Sequence, residues 1–213
     1  MLPLLDYQTQ SASWPQAGRH ILAHHDAETI VVYQAYSPLI GHYAAKHQRF
    51  GDGFALSRMS WIKPNFLWMM YRSSWGTAEG QEVVLAITLR RAAFDEILRG
   101  SVPSSFWRER FATEAEYKHA LATSNVRMQW DPDHAPGGAP LERRAVQLGL
   151  RGDVLHRFAE GTRGTWVTAI EDVSELVATQ RTRLRSGEKI ETPAETVVRI
   201  EDAELARRLR IDG

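Results

Sequence analysis

Residues Arg58 to Gly76, RMSWIKPNFLWMMYRSSWG, gather three of the chain's seven tryptophans and three of its five methionines in one short run with Arg58, Lys63 and Arg72. No acid lies between Asp52 and Glu79. Trp68 and Trp75 are two helical turns apart with Tyr71 between them, and Leu67 and Met70 fall on neighbouring positions, so the second half of the run reads as an apolar helix face that must pack against a core. Smaller side chains suffice to fill a core. Amphipathic rings interleaved with unneutralised cations therefore also point to a surface that grips an anionic or flat ligand.

Composition narrows the classes. The 213 residues, 43% hydrophobic and 24% charged, suit one ordinary globular domain. Twenty-six basic against twenty-six acidic residues give no net field, which removes the global electrostatic footprint of a non-specific nucleic-acid binder and leaves only a local basic groove. Without cysteine, disulfides, thiolate catalysis, zinc-thiolate sites and iron–sulfur clusters drop out. Met1 to Leu5 is apolar but short, holds Pro3 and gives way to Asp6, unlike a signal peptide, and no apolar run approaches the roughly 20 residues of a membrane span. A cytoplasmic protein with no membrane partner is the expectation.

Punctuation predicts the elements. Residues 1–18 read as an N-terminal arm, with a polar loop from Tyr7 to Gly18, before one domain over 19–213. Thr29 to Tyr36 is β-branched and aromatic, hence a strand, and Ser37-Pro38 starts a helix that runs to Gly51. Lys63-Pro64-Asn65 repeats the device: Met59 to Lys63 is strand or loop, Pro64 to Ser74 helix, and Gly76 the stop. Further strands are expected at Val83–Leu89, Val126–Trp130, Arg144–Leu150, Trp166–Ile170 and Thr196–Ile200. Helices are expected at Ala92–Arg99, Phe106–Thr123, Gly152–Ala159, Ser174–Arg185 and Ala203–Leu209. Asp131 to Pro140 is rich in Pro and Gly and predicts a surface loop. Strands and helices mix without strict alternation. The fold class is α+β, a single domain with a central, partly antiparallel sheet, continuous or split, flanked by helices.

Candidate residues follow from their chemistry. Arg58, Lys63 and Arg72 lack local carboxylates and suit phosphate; Trp61 and Tyr71 can stack on a ring. Gln34 interrupts an apolar strand and alternation puts it on one face with Tyr36, where an amide beside an aromatic can read the edge of a base. Asp131 and Glu171 sit at predicted strand ends, positions where a carboxylate can serve as base or stabilise developing positive charge; Asp131 before Pro132 is equally a turn-former. His20 and His24 have i, i+4 spacing but no third ligand is evident, so no metal site is assigned. The elbows, P-loops and dinucleotide fingerprints of common hydrolases, NTPases and Rossmann dehydrogenases are missing.

The segments IVVYQAYSPLIGHYA, RMSWIKPNFLWMMYRSSW, EGQEVVLAI, VRMQWDP and AVQLGL, in that order, resemble the family catalogued as domain of unknown function 4291, over about Arg19 to Val177. That family has no settled activity, so the resemblance implies one compact domain and marks the tryptophan run as its signature. The order of elements is also similar to the ADP-ribosyltransferase-like fold. That likeness implies NAD as cofactor, Ser60 and Glu171 at two catalytic positions, and Arg19 or His20 at the first, where the strand itself offers Gln34. The leading expectation is an enzyme acting on a nucleotide or nucleotide-like phosphorylated substrate by glycosyl or ADP-ribosyl transfer. The alternatives are an RNA or single-stranded DNA binding module, or a protein-interaction domain built on the tryptophan helix.

Overall fold

In the computed structural model, which describes residues 2–212, the chain runs β1 (Leu4–Asp6), α1 (Tyr7–Ser11), β2 (Gly18–Arg19), β3 (Leu22–Ala23), β4 (Thr29–Tyr36), α2 (Pro38–His47), β5 (Ser60–Ile62), α3 (Phe66–Ser73), β6 (Val83–Arg90) and α4 (Arg91–Gly100). It continues with β7 (Ser101–Pro103), α5 (Glu114–Thr123), β8 (Val126–His134), β9 (Pro140–Leu150), α6 (Gly152–Ala159), β10 (Val167–Asp172), α7 (Ser174–Ser186), β11 (Glu191–Pro193), β12 (Thr196–Val197) and α8 (Ala203–Leu209). The class is α+β in a single domain. Among the described residues no helix is long and apolar enough to cross a membrane.

Two sheets organise the molecule. An antiparallel sheet of order β10-β6-β4 is buried on both faces, because β4 and β6 are apolar at nearly every position. Their side chains alternate between two cores: Ile30, Val32, Leu85, Ile87 and Leu89 enter one, Val31, Tyr33, Val84 and Ala86 the other. The second core is closed by α3 and α7 through Phe66, Met69, Met70 and Val177. A larger sheet of order β2-β9-β8-β7 carries β5 along the same edge of β9 as β2. The sheets share a core, in which Ile62, Met128, Val146 and Leu148 join the β4 and β6 side chains, and among the described residues backbone hydrogen bonds join them at one pair. Tyr33 N donates to Lys63 O at 2.7 Å and Lys63 N to Tyr33 O at 3.1 Å, which fixes β4 beside the end of β5; beyond that bridge the strands diverge.

Local chemistry sets the helices that flank this divergence. Pro38 begins α2 behind Ser37, and Gly41 lets the helix lie directly on β6, since a Cβ there would come within 2.5 Å of the Val83 Cβ. Asn65 caps α3 by accepting from Trp68 N at 2.7 Å. The helix ends where Ser74 and Trp75 both adopt positive φ ahead of Gly76. Its first free amide, Phe66 N, donates at 2.7 Å to the buried carboxylate of Glu195, and Asn65 Nδ2 donates to the same group at 3.1 Å.

Three segments differ from the sequence expectation. Residues 4–14, read as arm and loop, supply β1, α1 and the buried Trp14 instead. Gln10 Nε2 donates to Thr192 Oγ1 at 2.6 Å and Trp14 Nε1 to Glu195 O at 2.9 Å, so the polar residues that suggested a loop are satisfied by partners about 180 positions away. Phe106 to Phe111 is irregular and turn-containing, and α5 begins only at Glu114, capped by Thr113, whose hydroxyl accepts from Glu116 N. Asp131 to His134 is strand, not loop. β8 continues through it, a register shift absorbs Pro132, and the turn is confined to Ala135–Ala139. The reason is an ion pair: Asp133 and Arg143, both buried, meet at 2.6 Å across the hairpin.

Two measurements check these contacts. Asp133→Ala leaves a buried guanidinium without its partner and is expected to cost about 3–5 kcal/mol in urea unfolding, with the double change D133N/R143M costing less than the sum of its singles. Burial pushes the Glu195 carboxyl up to about 8, against the Phe66 N–H that favours the charged form. From its ordinary value up to about 8 the native state holds a proton that the unfolded chain has released, so stability declines as pH rises through that window. Glu195→Gln is expected to flatten the decline in a pH series of thermal melts.

Candidate functional site

Where β4 and β5 diverge there is an open cavity of about 740 Å³. Gln34 and Tyr36 reach it from β4, Arg58 from the loop before β5, Ser60 and Trp61 from β5, Lys63 from the bridge, Arg72 from the last turn of α3 and Gln147 from β9. Thus six of the eight residues expected to bind ligand line one cavity. Its lining among the described residues holds three cations and no carboxylate. A second cavity of about 700 Å³, between the His25–Ala27 turn, α4 and the segment after β12, mixes Arg91, Arg99 and Arg199 with Asp26, Asp95, Glu201 and Asp202, and so carries no such excess.

Lys63 is the most constrained of the three. Its main chain is held by the Tyr33 bridge, and its side chain is 6% exposed with Nζ 3.5 Å from Trp61 O. Burial first, then the charge of Arg72, bring the ammonium down to about 8, while Asp131 acts in the opposite sense. Arg58 and Arg72 are exposed, and none of the three forms an ion pair with a described carboxylate. Exposed guanidinium groups and a buried amine without carboxylate partners are groups whose chemistry suits a compact anion.

Beside the lysine, sharing the Trp61 carbonyl with it, is a neutral hydrogen-bond cluster. Gln34, 2% exposed, donates through Nε2 to Ser60 Oγ at 2.7 Å and Trp61 O at 3.2 Å; its Oε1 is buried with no partner among the described residues. Tyr36 Oη shares a 2.5 Å hydrogen bond with Ser60 Oγ, and burial holds its hydroxyl well above the ordinary phenol range. The Tyr36 ring packs edge-on against Phe50 and Phe54. A buried carbonyl left without a donor costs free energy in the folded protein.

Four sequence candidates lie elsewhere. Asp131 is inside β8 opposite Ala145, with its oxygens accepting from Gln129 Nε2 and Gln147 Nε2, both at 2.7 Å. It touches the cavity only through Gln147. Glu171 is in β10, opposite Ala86 and outside the lining. Arg19 belongs to β2, where its backbone N donates to Asp212 Oδ2 at 2.8 Å. Tyr71 turns away from Arg72 by one helix position, stacks on His134 with ring centres 3.5 Å apart, and borders a separate groove. Gln147 was not anticipated, although it is the polar break in the run Ala145–Leu150, the same signal that singled out Gln34. Ser60 entered only through the fold resemblance.

The family model described as Domain of unknown function (DUF4291) matches residues 20–202, and the chain belongs to that family. No curated protein matches the chain. Neither finding extends to the ADP-ribosyltransferase likeness.

A buried ammonium without a carboxylate partner costs stability. Lys63→Met is therefore expected to raise stability at pH 7 by on the order of 1 kcal/mol, read as a higher melting temperature. Between about 8 and its ordinary value the native state has released a Lys63 proton that the unfolded chain still holds, so wild-type stability rises with pH across that window. The methionine variant is expected to lack this rise.

Proposed function

We propose that this member of the DUF4291 family binds a nucleotide or nucleotide-like phosphorylated ligand in the cleft between β4 and β5. The observation that carries the reading is the lining itself: three cations, two of them exposed at the mouth, converge on about 740 Å³ with no acid among them. Arg58 and Arg72 take the phosphate, Lys63 closes the floor behind it, and the half-buried Trp61 offers a ring face to a base or sugar. Gln34 Oε1 and the Tyr36–Ser60 pair supply polar contacts for a base edge or an amide. NAD, which combines phosphates, a carboxamide and glycosidic bonds, suits these groups by its chemistry.

As an enzyme the protein would transfer a glycosyl or ADP-ribosyl group. Cleavage of a glycosidic bond develops positive charge at the sugar, and the carboxylate best placed to favour it is Asp131, which acts one hydrogen bond away through Gln147. Glu171 has no part in this reading. The volume suits one small molecule, which favours it over a groove tracking single-stranded nucleic acid.

Calorimetric titration with mononucleotides, nucleoside diphosphates, NAD and short oligonucleotides tests the proposal. One of the small ligands is expected to bind, and Arg58→Gln and Arg72→Gln, both at exposed positions, each to weaken it about tenfold while the melting temperature stays constant. Binding of oligonucleotides alone, or affinity indifferent to both changes, would sink it.

A further inference from the structure

We propose that Lys63 is a carbonyl-reactive amine, and that the cleft takes a phosphorylated ligand bearing an aldehyde or ketone, the open-chain form of a ribose phosphate being the simplest nucleotide fragment with both groups. This rests on the phosphate reading of the cleft and goes beyond it by naming a covalent step. Four features of the site lead here. The amine lies at the floor of the cavity that Arg58 and Arg72 guard, so a phosphate held at the mouth directs the rest of its ligand inward. The side chain is almost fully buried, which limits the competing hydration of its nitrogen. No carboxylate forms an ion pair with it among the described residues, and its only polar contact within hydrogen-bond range is the distant Trp61 carbonyl. Arg72 bears on it as a like charge. Desolvation together with a neighbouring cation is the standard means of keeping a lysine neutral enough to attack a carbonyl.

The step balances without an added oxidant or reductant. The nitrogen lone pair of neutral Lys63 forms a bond to the carbonyl carbon as the C=O π electrons move to oxygen. The amine loses one proton, the oxygen leaves as water after taking up that proton and one from solvent, and a protonated imine remains. With the amine brought down to about 8, the neutral fraction near pH 7.5 exceeds that of an ordinary lysine by roughly 200-fold. Lys46, Lys118 and Lys189, the other three lysines of the chain, are exposed and provide an internal comparison.

The experiment incubates the full chain with ribose 5-phosphate and sodium cyanoborohydride, which reduces an imine to a stable secondary amine, and maps the adduct by peptide mass spectrometry. Unphosphorylated ribose, and excess inorganic phosphate as competitor, are run beside it, and thermal shift with inorganic phosphate is recorded separately. The expected result is an adduct at Lys63 exceeding that at each exposed lysine by at least about tenfold, suppressed by phosphate and absent with ribose. Lys63→Arg is expected to lose the adduct, and Arg58→Gln to lower it at Lys63 without changing the melting temperature of the free protein. Labelling spread evenly over the four lysines, or none at Lys63 while phosphate still shifts the melt, overturns the covalent step and leaves the phosphate cleft standing. No shift and no adduct overturns both.

Discussion

The reciprocal hydrogen bonds between Tyr33 and Lys63 are the joint on which the cleft depends. They are the backbone bridge between the two sheets, and past them β4 and β5 are joined not by a ladder but by side chains, Gln34 and Tyr36 reaching Ser60 and Trp61. A continuous pairing would have closed the space with backbone. One bridge gives a wedge with a fixed apex. Lys63 contributes its main chain to that apex and its side chain to the space the apex opens, so the position of the amine is set as firmly as the fold itself.

The cleft combines two kinds of unmet demand. Among the described residues three cations share the space with no acid, and the Gln34 carbonyl is buried without a donor. Each arrangement costs free energy in the folded protein, and the surrounding apolar layers offset it: Tyr33 and Phe66 on one face of β4, and Phe50, Phe54 and Tyr36 against one another on the other, hold the groups in place. Asp131 completes the balance from behind. Clamped by two glutamine amides, it lends negative charge to the lysine without entering the space a ligand would occupy.

Elements that carry their own punctuation were legible in the sequence. β4, with its β-branched run and the Ser37-Pro38 that ends it, and α6 and α8 lie within the bounds that composition set. The elements that escaped, β1, β2, β3, β7 and β11, are two or three residues long and exist only because a partner far along the chain pairs with them. The strand through Asp131–His134 escaped for a related reason: Pro132 and the glycines beyond it signal a turn, and what overrides them is the buried ion pair with Arg143, which no local pattern shows. In the site, Gln34, Tyr36 and the cations of the tryptophan run could be read because alternation and the missing acids are local facts. That Tyr71 faces away while Arg72 faces in, or that Asp131 stands behind Gln147, depends on how the helix and strand are set down, which periodicity leaves open.

The Glu195 contact at the head of α3 has a kinetic side. The helix that carries Arg72 begins at residue 66, yet the carboxylate that accepts from its first free amide lies 129 positions later, held by Gln10 and Trp14 from the opposite end of the chain. Closing so long a loop is entropically slow. On the ribosome β4, β5 and α3 are synthesised well before their anchor. A chain halted before residue 195 would hold every residue that lines the cleft and lack the clasp that sets its helix in place.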